Sequence, residues 1–238
     1  GNVDTRIKKL NNGLYDAMNK GINLATGDVI GLINSDDLFC DPDALNKVAK
    51  VFKENPEVQA IVGNCEYIDE QSETTGFIKA QFNGFESQLK YWGWDKWQCI
   101  PQQSVFIRKS LLADIGLFDC RYHFVMDLEM WFRIALGPGF LVVDETLSAF
   151  RLAEETKTVS NTHKMYFEEY QAFLRYRKHI PILKAFLLII CARRHLSYKL
   201  LDMSEHLCLN TDQKKLPFSL LSKALIAWPF SIFKLRFI

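Results

Sequence analysis

Residues 27–37 read GDVIGLINSDD. After a glycine, Val29, Ile30, Leu32 and Ile33 form an apolar run that predicts a short buried strand, and the run ends in two adjacent carboxylates, Asp36 and Asp37. Neighbouring carboxylates repel and resist burial, so a strand that finishes in a pair of them calls for a positive partner.

The flanking sequence gives this strand its setting. Before it, GLYDAMNKGINLATG repeats apolar residues every three or four positions (Leu14, Ala17, Met18, Ile22, Ala25), which predicts a helix closed by a glycine C-cap. After it, DPDALNKVAKVFKENP predicts a helix with Asp41 as N-cap, Pro42 at the first helical position and Pro56 as the stop. A second strand follows in VQAIVGNCEYI. Helix, strand, helix, strand with tight junctions predicts an α/β domain with a mostly parallel central sheet flanked by helices. In such sheets ligands bind beyond the carboxyl ends of the strands, where Asp36 and Asp37 fall. A hard cation, Mg²⁺ or Mn²⁺, favours carboxylate oxygens and completes its shell with substrate phosphates, so the pair points to diphosphate chemistry. Either aspartate would also serve as an ordinary turn residue.

Composition narrows the field. The chain has 238 residues, 48% of them apolar, enough for a sizeable core. Its 29 Lys and Arg nearly balance 28 Asp and Glu, which excludes the strongly basic footprint of a nucleic-acid binder. The six cysteines form no CxxC pair, so a zinc site is not expected and free thiols in a reducing compartment are. The opening GNVDTRIKKLNNG is polar and lacks an initiating methionine, and we expect that a front section of the domain is missing.

At this point the residues resemble a known family. LYDAMNKGINLATGDVIGLINSDD is similar to the central segment of the inverting family 2 glycosyltransferases of the GT-A (nucleotide-diphospho-sugar transferase) fold, through Ala17, Asn19, Gly21, Ala25, Gly27 and then Asn34, Ser35, Asp36 and Asp37. PQQSVFIRKSLLADIGLFD, residues 101–119, resembles the family's acceptor-side segment, and MDLEMWFRI, residues 126–134, its D-x-[DE]-x-W-x-x-R helix. The resemblance implies that Asp36 and Asp37 hold a Mg²⁺ or Mn²⁺ ion against the diphosphate of a nucleotide sugar, with Asn19, Asn34, Ser35 and Arg151 on the donor side. It implies Asp127 as the general base, with Glu129 as second candidate, and acceptor contacts from Gln102, Gln103 and Trp131.

The residues alone give plainer readings beside these. An acidic first-turn residue such as Asp127 stabilises its helix through the dipole, and Arg133 four residues after Glu129 predicts a helix-surface ion pair. Leu128, Trp131, Phe132 and Ala135 are placed to face the core, which makes Trp131 a packing residue as readily as a sugar platform. Tyr91, Trp92, Trp94 and Trp97 form an aromatic cluster that suits either sugar contact or packing.

Two departures qualify the resemblance. Arg151 and Leu152 lead to Ala153 where related transferases carry a histidine, the next one here being His163, so the phosphate side falls to Arg151, Lys157 or Thr158. The Q-x-x-R-W pattern of processive members is absent, which favours transfer of a single sugar. We therefore expect a GT-A-like domain over residues 1–160 and a helical extension over residues 161–238. Its expected substrates are a UDP-linked donor and a saccharide or lipid-linked saccharide acceptor in cell-surface polysaccharide synthesis. The expected location is cytoplasmic, at the inner face of the plasma membrane. A catalytically inactive remnant and a metal-dependent nucleotidyltransferase are the alternatives, the second lacking a Gly-rich phosphate loop.

The extension carries an apolar run, Ala185 to Ala192, between Lys184 and Arg193, and a second apolar piece from Phe218 that includes Trp228. Neither reaches the roughly 20 residues a membrane span requires, and basic residues beside apolar ones fit helices lying in a membrane interface or packing on the domain.

Overall fold

The helix ahead of the quoted strand is α1, Leu14–Leu24, and the strand itself is β1, Val29–Gly31. The computed structural model describes residues 13–91, 100–152, 157–210, 222–224 and 227, without the side chains of 90, 91, 157–163, 195 and 202–210. Glycine does not cap α1 as expected. The helix ends at Leu24, the C-cap is Ala25 in extended backbone, and its N–H donates to the Gly21 carbonyl, so no left-handed residue is needed.

β2, Leu38–Phe39, leads to α2, Ala44–Glu54. Asp41 precedes this helix by one turn instead of capping it: its Oδ1 accepts from the Asp43 N–H at 2.6 Å, a local Asx turn, and Asp43 takes the cap position. Val48 and Phe52 of α2 then pack against Ile61, Phe106 and Leu147 of the sheet to form the core of this layer. Arg108 closes the helix, donating 2.9 Å to the Phe52 carbonyl with its guanidinium over the Phe52 ring.

Next come β3 (Ala60–Ile68), β4 (Thr74–Ile78) and α3 (Phe85–Tyr91). β5 (Val105–Arg108), α4 (Lys109–Ile115), α5 (Met126–Leu136) and β6 (Leu141–Arg151) follow. The six strands form one sheet in the order β1-β5-β3-β6-β2, with β4 also paired to β3. The chain is α/β, but the sheet is mixed rather than mostly parallel. β3 and β6 pair in parallel, and the other described pairs are antiparallel. The helical crossover from β1 to β3 does make those two strands run the same way, as expected. What the local pattern does not reveal is β5, which arrives from later in the chain and inserts between them in the opposite direction.

The carboxyl ends of β1, β3 and β6 and the amino ends of β5 and β2 therefore meet at one edge of the layer. The β3–β6 ladder shifts register around Gly63, where a Cβ would fall 2.5 Å from Leu147 Cδ1 and 2.9 Å from the Glu145 carbonyl, so only glycine allows this approach.

By compactness the chain divides into two units, Gly1–Phe82 with Cys99–Glu154, and Asn83–Gln98 with Glu155–Ile238. The second unit includes α6, Lys157–Tyr176, and α7, Ile182–Asn210. Leu196, Leu200 and Leu201 of α7 pack with Ala224, against Tyr166, Phe167 and Tyr170 of α6. Cys40, Cys65, Cys120 and Cys191 are free thiols, as expected. Trp92, Trp94, Trp97 and Trp228 lie outside the described residues.

Candidate active site

The two carboxylates that end the quoted strand are neighbours in sequence and opposites in environment. Asp37 is 5% exposed, and its side chain is fully engaged. Oδ2 accepts from Asn34 Nδ2 at 2.8 Å and from Gln103 Nε2 at 3.0 Å, and Oδ1 accepts from the Arg151 backbone N–H at 3.1 Å. Three donors satisfy the charge that burial would otherwise disfavour, which explains how a carboxylate sits inside this edge of the sheet. Asp36 is exposed, and its carboxylate has no partner among the described residues. Its backbone carbonyl accepts from Arg151 Nε at 3.0 Å, so the residue is held while its side chain is left open.

Arg151 is the second organiser. It ends β6, and Nη1 and Nη2 reach the Asp69 carbonyl and, at 3.0 Å, Ser72 Oγ in the turn between β3 and β4. That turn folds on itself: Asp69 Oδ1 accepts from the N–H groups of Gln71 and Glu73, each at 2.9 Å, and Ser72 takes a positive φ of 68°. Sequence reading did not single out Asp69 or Ser72, although the Asp at the head of IDEQSE is the usual mark of such a turn.

Two glutamines bring the start of β5 to the same edge. Gln102 Nε2 donates 3.0 Å to the Leu32 carbonyl, and Gln103 is buried against Asp37. Both amides therefore join the β1 loop to the β5 entrance. Ser35 is exposed on this loop. Asn19 is tied elsewhere, since its amide donates to the Phe118 carbonyl at 2.9 Å and accepts from the Phe118 N–H at 3.0 Å, docking α1 on the segment after α4.

Helix α5 opens with Asp127. The carboxyl is desolvated, which raises its pKa above the ordinary 3.8, while the N–H groups of Leu128, at 2.8 Å, and of Asp127 itself act in the other direction. No cation pairs with it among the described residues. One turn further along the same face, Trp131 is buried, edge-on to Phe140 at 5.5 Å, and lines an apolar gap together with Leu32, Gln102 and Ile30. Across this gap Trp131 meets Leu32, the first residue after β1, and Gln102 at the entrance of β5. Trp131 contributes packing there and presents no open face.

Glu129 is a different case. It is 1% exposed, and Oε2 accepts from Arg133 Nη2 at 2.7 Å and Nε at 3.0 Å. Its carboxylate is buried and Arg133 is half-buried, so the pair is not the surface bridge that its spacing predicts. Arg133 also donates to the carbonyls of Ile115, Gly116 and Leu117, at 2.7–2.8 Å, so one guanidinium closes the C-terminus of α4 and fixes α5 beside it. Met126, Met130 and Ile134 join Trp131 and Phe132 in the core, whereas Leu128 and Ala135 are only half-buried. The buried surface of α5 is wider than the single stripe expected.

The oxygen set at Asp36 suits a hard cation that draws much of its shell from water and substrate phosphate. No cluster of three or more His, Cys, Asp or Glu side chains placed to hold an ion occurs among the described residues. Ala153 lies outside the described residues, as do the side chains of Lys157, Thr158 and His163.

Residues 3–116 match Glycosyl transferase family 2, a span that includes Asp36, Asp37, Gln102 and Gln103 and stops before Asp127. The chain is 25% identical over 129 residues to a PGL/p-HBAD biosynthesis glycosyltransferase of Mycobacterium bovis, covering 54% of this chain and 46% of that protein. It is 29% identical over 125 residues to an uncharacterized glycosyltransferase of Mycobacterium tuberculosis, covering 52% and 45%. The chain thus spans about half the length of the curated relatives it matches. A shorter match, 33% over 72 residues, is to a probable porphobilinogen deaminase of Methanosarcina acetivorans and covers 23% of that protein.

Proposed function

Residues 3–116 belong to glycosyl transferase family 2, and from that premise we propose that this chain transfers a single sugar from a UDP-linked donor, with inversion. The acceptor is a saccharide or lipid-linked saccharide, and the setting is cell-surface polysaccharide synthesis at the cytoplasmic face of the membrane. The α/β architecture is the GT-A fold of that family. One observation carries the reading: in the loop beyond the carboxyl end of β1, an exposed Asp36 carboxylate without a partner among the described residues is held beside a buried and fully bonded Asp37.

The roles follow from that inequality. Asp36 is the residue that would hold Mg²⁺ or Mn²⁺, and the chemistry such an ion supplies when bound is neutralisation of the departing diphosphate. Asp37, Asn34 and Gln103 position the loop. Arg151 spends three of its N–H donors on the fold and retains others for a phosphate oxygen. Ser35 and Asn34 flank the donor on the same loop.

Asp127 takes the proton from the acceptor hydroxyl as that oxygen attacks the anomeric carbon from the side opposite the leaving diphosphate. A carboxyl with a raised pKa is a stronger base than an ordinary aspartate, which favours this assignment over Glu129 with its bound arginine. Gln102, half engaged on Leu32, has the rest of its amide available to an acceptor hydroxyl.

The test is calorimetric titration of the purified chain with UDP, with and without Mn²⁺. Binding that requires Mn²⁺ and disappears in Asp36→Ala is the expected result. A folded chain that binds UDP equally well without the ion, or not at all, would overturn the donor-site reading.

A further inference from the structure

Helix α7 begins with a cluster of apolar side chains turned away from its own core. Ile182 is 89% exposed and Leu183 71%, and Phe186 and Leu187 are each more than half exposed. At 100° per residue these four cover an arc of about 140°, while Ala185, Leu188 and Ala192, all buried, occupy the opposite side. The exposed cluster is therefore one continuous face, two turns long. A soluble domain ordinarily shows large apolar residues singly, and a grouped face of this kind marks a binding surface.

Within the stretch of chain that carries it the charges are of one sign. From Arg175 to Lys199 the chain carries seven Lys or Arg and no Asp or Glu. Lys178 and His179 are exposed immediately before the helix, and Lys184 stands at the edge of the apolar arc, where Glu86 of α3 pairs with it at 2.9 Å. Lys178 has no partner among the described residues.

We propose that this face of α7 inserts into the headgroup region of an anionic lipid surface. Apolar residues flanked by lysines are the pattern of a helix that lies about 5–10 Å into the interface while its cations meet phosphate. Spanning is a different matter, for no described helix is long and apolar enough to cross a membrane. A second copy of the chain is the poorer occupant, because a two-fold contact would set this all-basic segment against itself, whereas anionic lipid neutralises it. The inference stands apart from the transferase reading, since lipid binding is read without donor, metal or turnover.

The experiment is flotation of the full chain with phosphatidylcholine vesicles, with and without phosphatidylglycerol. The chain should float with the anionic vesicles, and its binding should weaken as salt rises from about 0.1 M to about 1 M. The double variant Leu183→Ser, Phe186→Ser should lose about tenfold or more in vesicle affinity while keeping its circular dichroism spectrum. Lys178→Glu leaves the apolar face intact and should weaken binding to the anionic vesicles alone. Absence of binding to anionic vesicles overturns the proposal, as does equal binding by the double variant. A lipid-free dimer that the double variant abolishes would assign the face to a second copy instead.

Discussion

Gln103 Nε2 donates 3.0 Å to Asp37 Oδ2, and both side chains are buried. The contact joins the entrance of β5 to the loop after β1, two points 66 residues apart in the chain. Removing the amide leaves a buried carboxylate short of a donor. Gln103→Leu should therefore cost about 1–3 kcal/mol in denaturant unfolding and should weaken Mn²⁺-dependent UDP binding through loss of loop order. Unchanged unfolding would mean that the bond contributes nothing net.

Asp36 offers the contrasting case. Its side chain is exposed and does no work for the fold, so Asp36→Asn should shift stability by no more than about 0.5 kcal/mol. The same change should abolish the Mn²⁺ dependence of UDP binding. Asp37→Ala should do both kinds of damage at once. Calorimetry and thermal unfolding of the two variants side by side distinguish ligand from anchor, and equal stability losses would refute the distinction.

How much of this was legible from sequence depends on the range of the interaction. The strand ending in Asp36 and Asp37, the flanking helices and the helix carrying Asp127 were readable because their signals are local periodicities and turn residues. That Asp37 is a bonded anchor and Asp36 an exposed carboxylate was not readable, since the difference is made by Gln103 and Arg151, which arrive from distant parts of the chain. The same reason explains the misjudged sheet: β5 enters between β1 and β3 from about 40 residues beyond β3 in sequence. Spacing likewise predicted the Glu129–Arg133 pair but not the burial of Glu129, because the carbonyls of Ile115, Gly116 and Leu117 that draw Arg133 inward lie at the end of α4 and just beyond it.

That pair gives a third prediction. Arg133→Ala would take from the buried Glu129 carboxylate its bidentate arginine, and would strip three carbonyls of their donor. A loss of about 3–5 kcal/mol is expected from denaturant titration. Glu129→Gln should cost less, because the amide oxygen still accepts from the guanidinium. If Glu129 is structural, the folded Glu129→Gln protein retains whatever turnover the parent shows with the UDP-linked donor proposed above. Complete loss of turnover with unimpaired folding would move the general-base role from Asp127 to Glu129.

Asp127 couples stability and activity to pH in opposite directions. Desolvation raises its pKa above the ordinary 3.8, so between that value and the raised one the native protein holds a proton that the unfolded chain has released. Its contribution to stability is therefore fully present below 3.8 and is lost as pH rises through the native pKa. Asp127→Asn should remove that loss, making the variant more stable than the parent at neutral pH and flattening the slope above pH 3.8. Activity runs the other way, because only the carboxylate accepts a proton. The acid limb of kcat/KM should lie above the usual carboxylate range in the parent, and Asp127→Asn should lower kcat by about a hundred- to ten-thousandfold with UDP binding unchanged. A variant that gains stability and loses turnover in this way would mark Asp127 as a residue kept charged and desolvated for chemistry rather than for the fold. One that loses stability while retaining turnover would identify it as a first-turn helix stabiliser and nothing more.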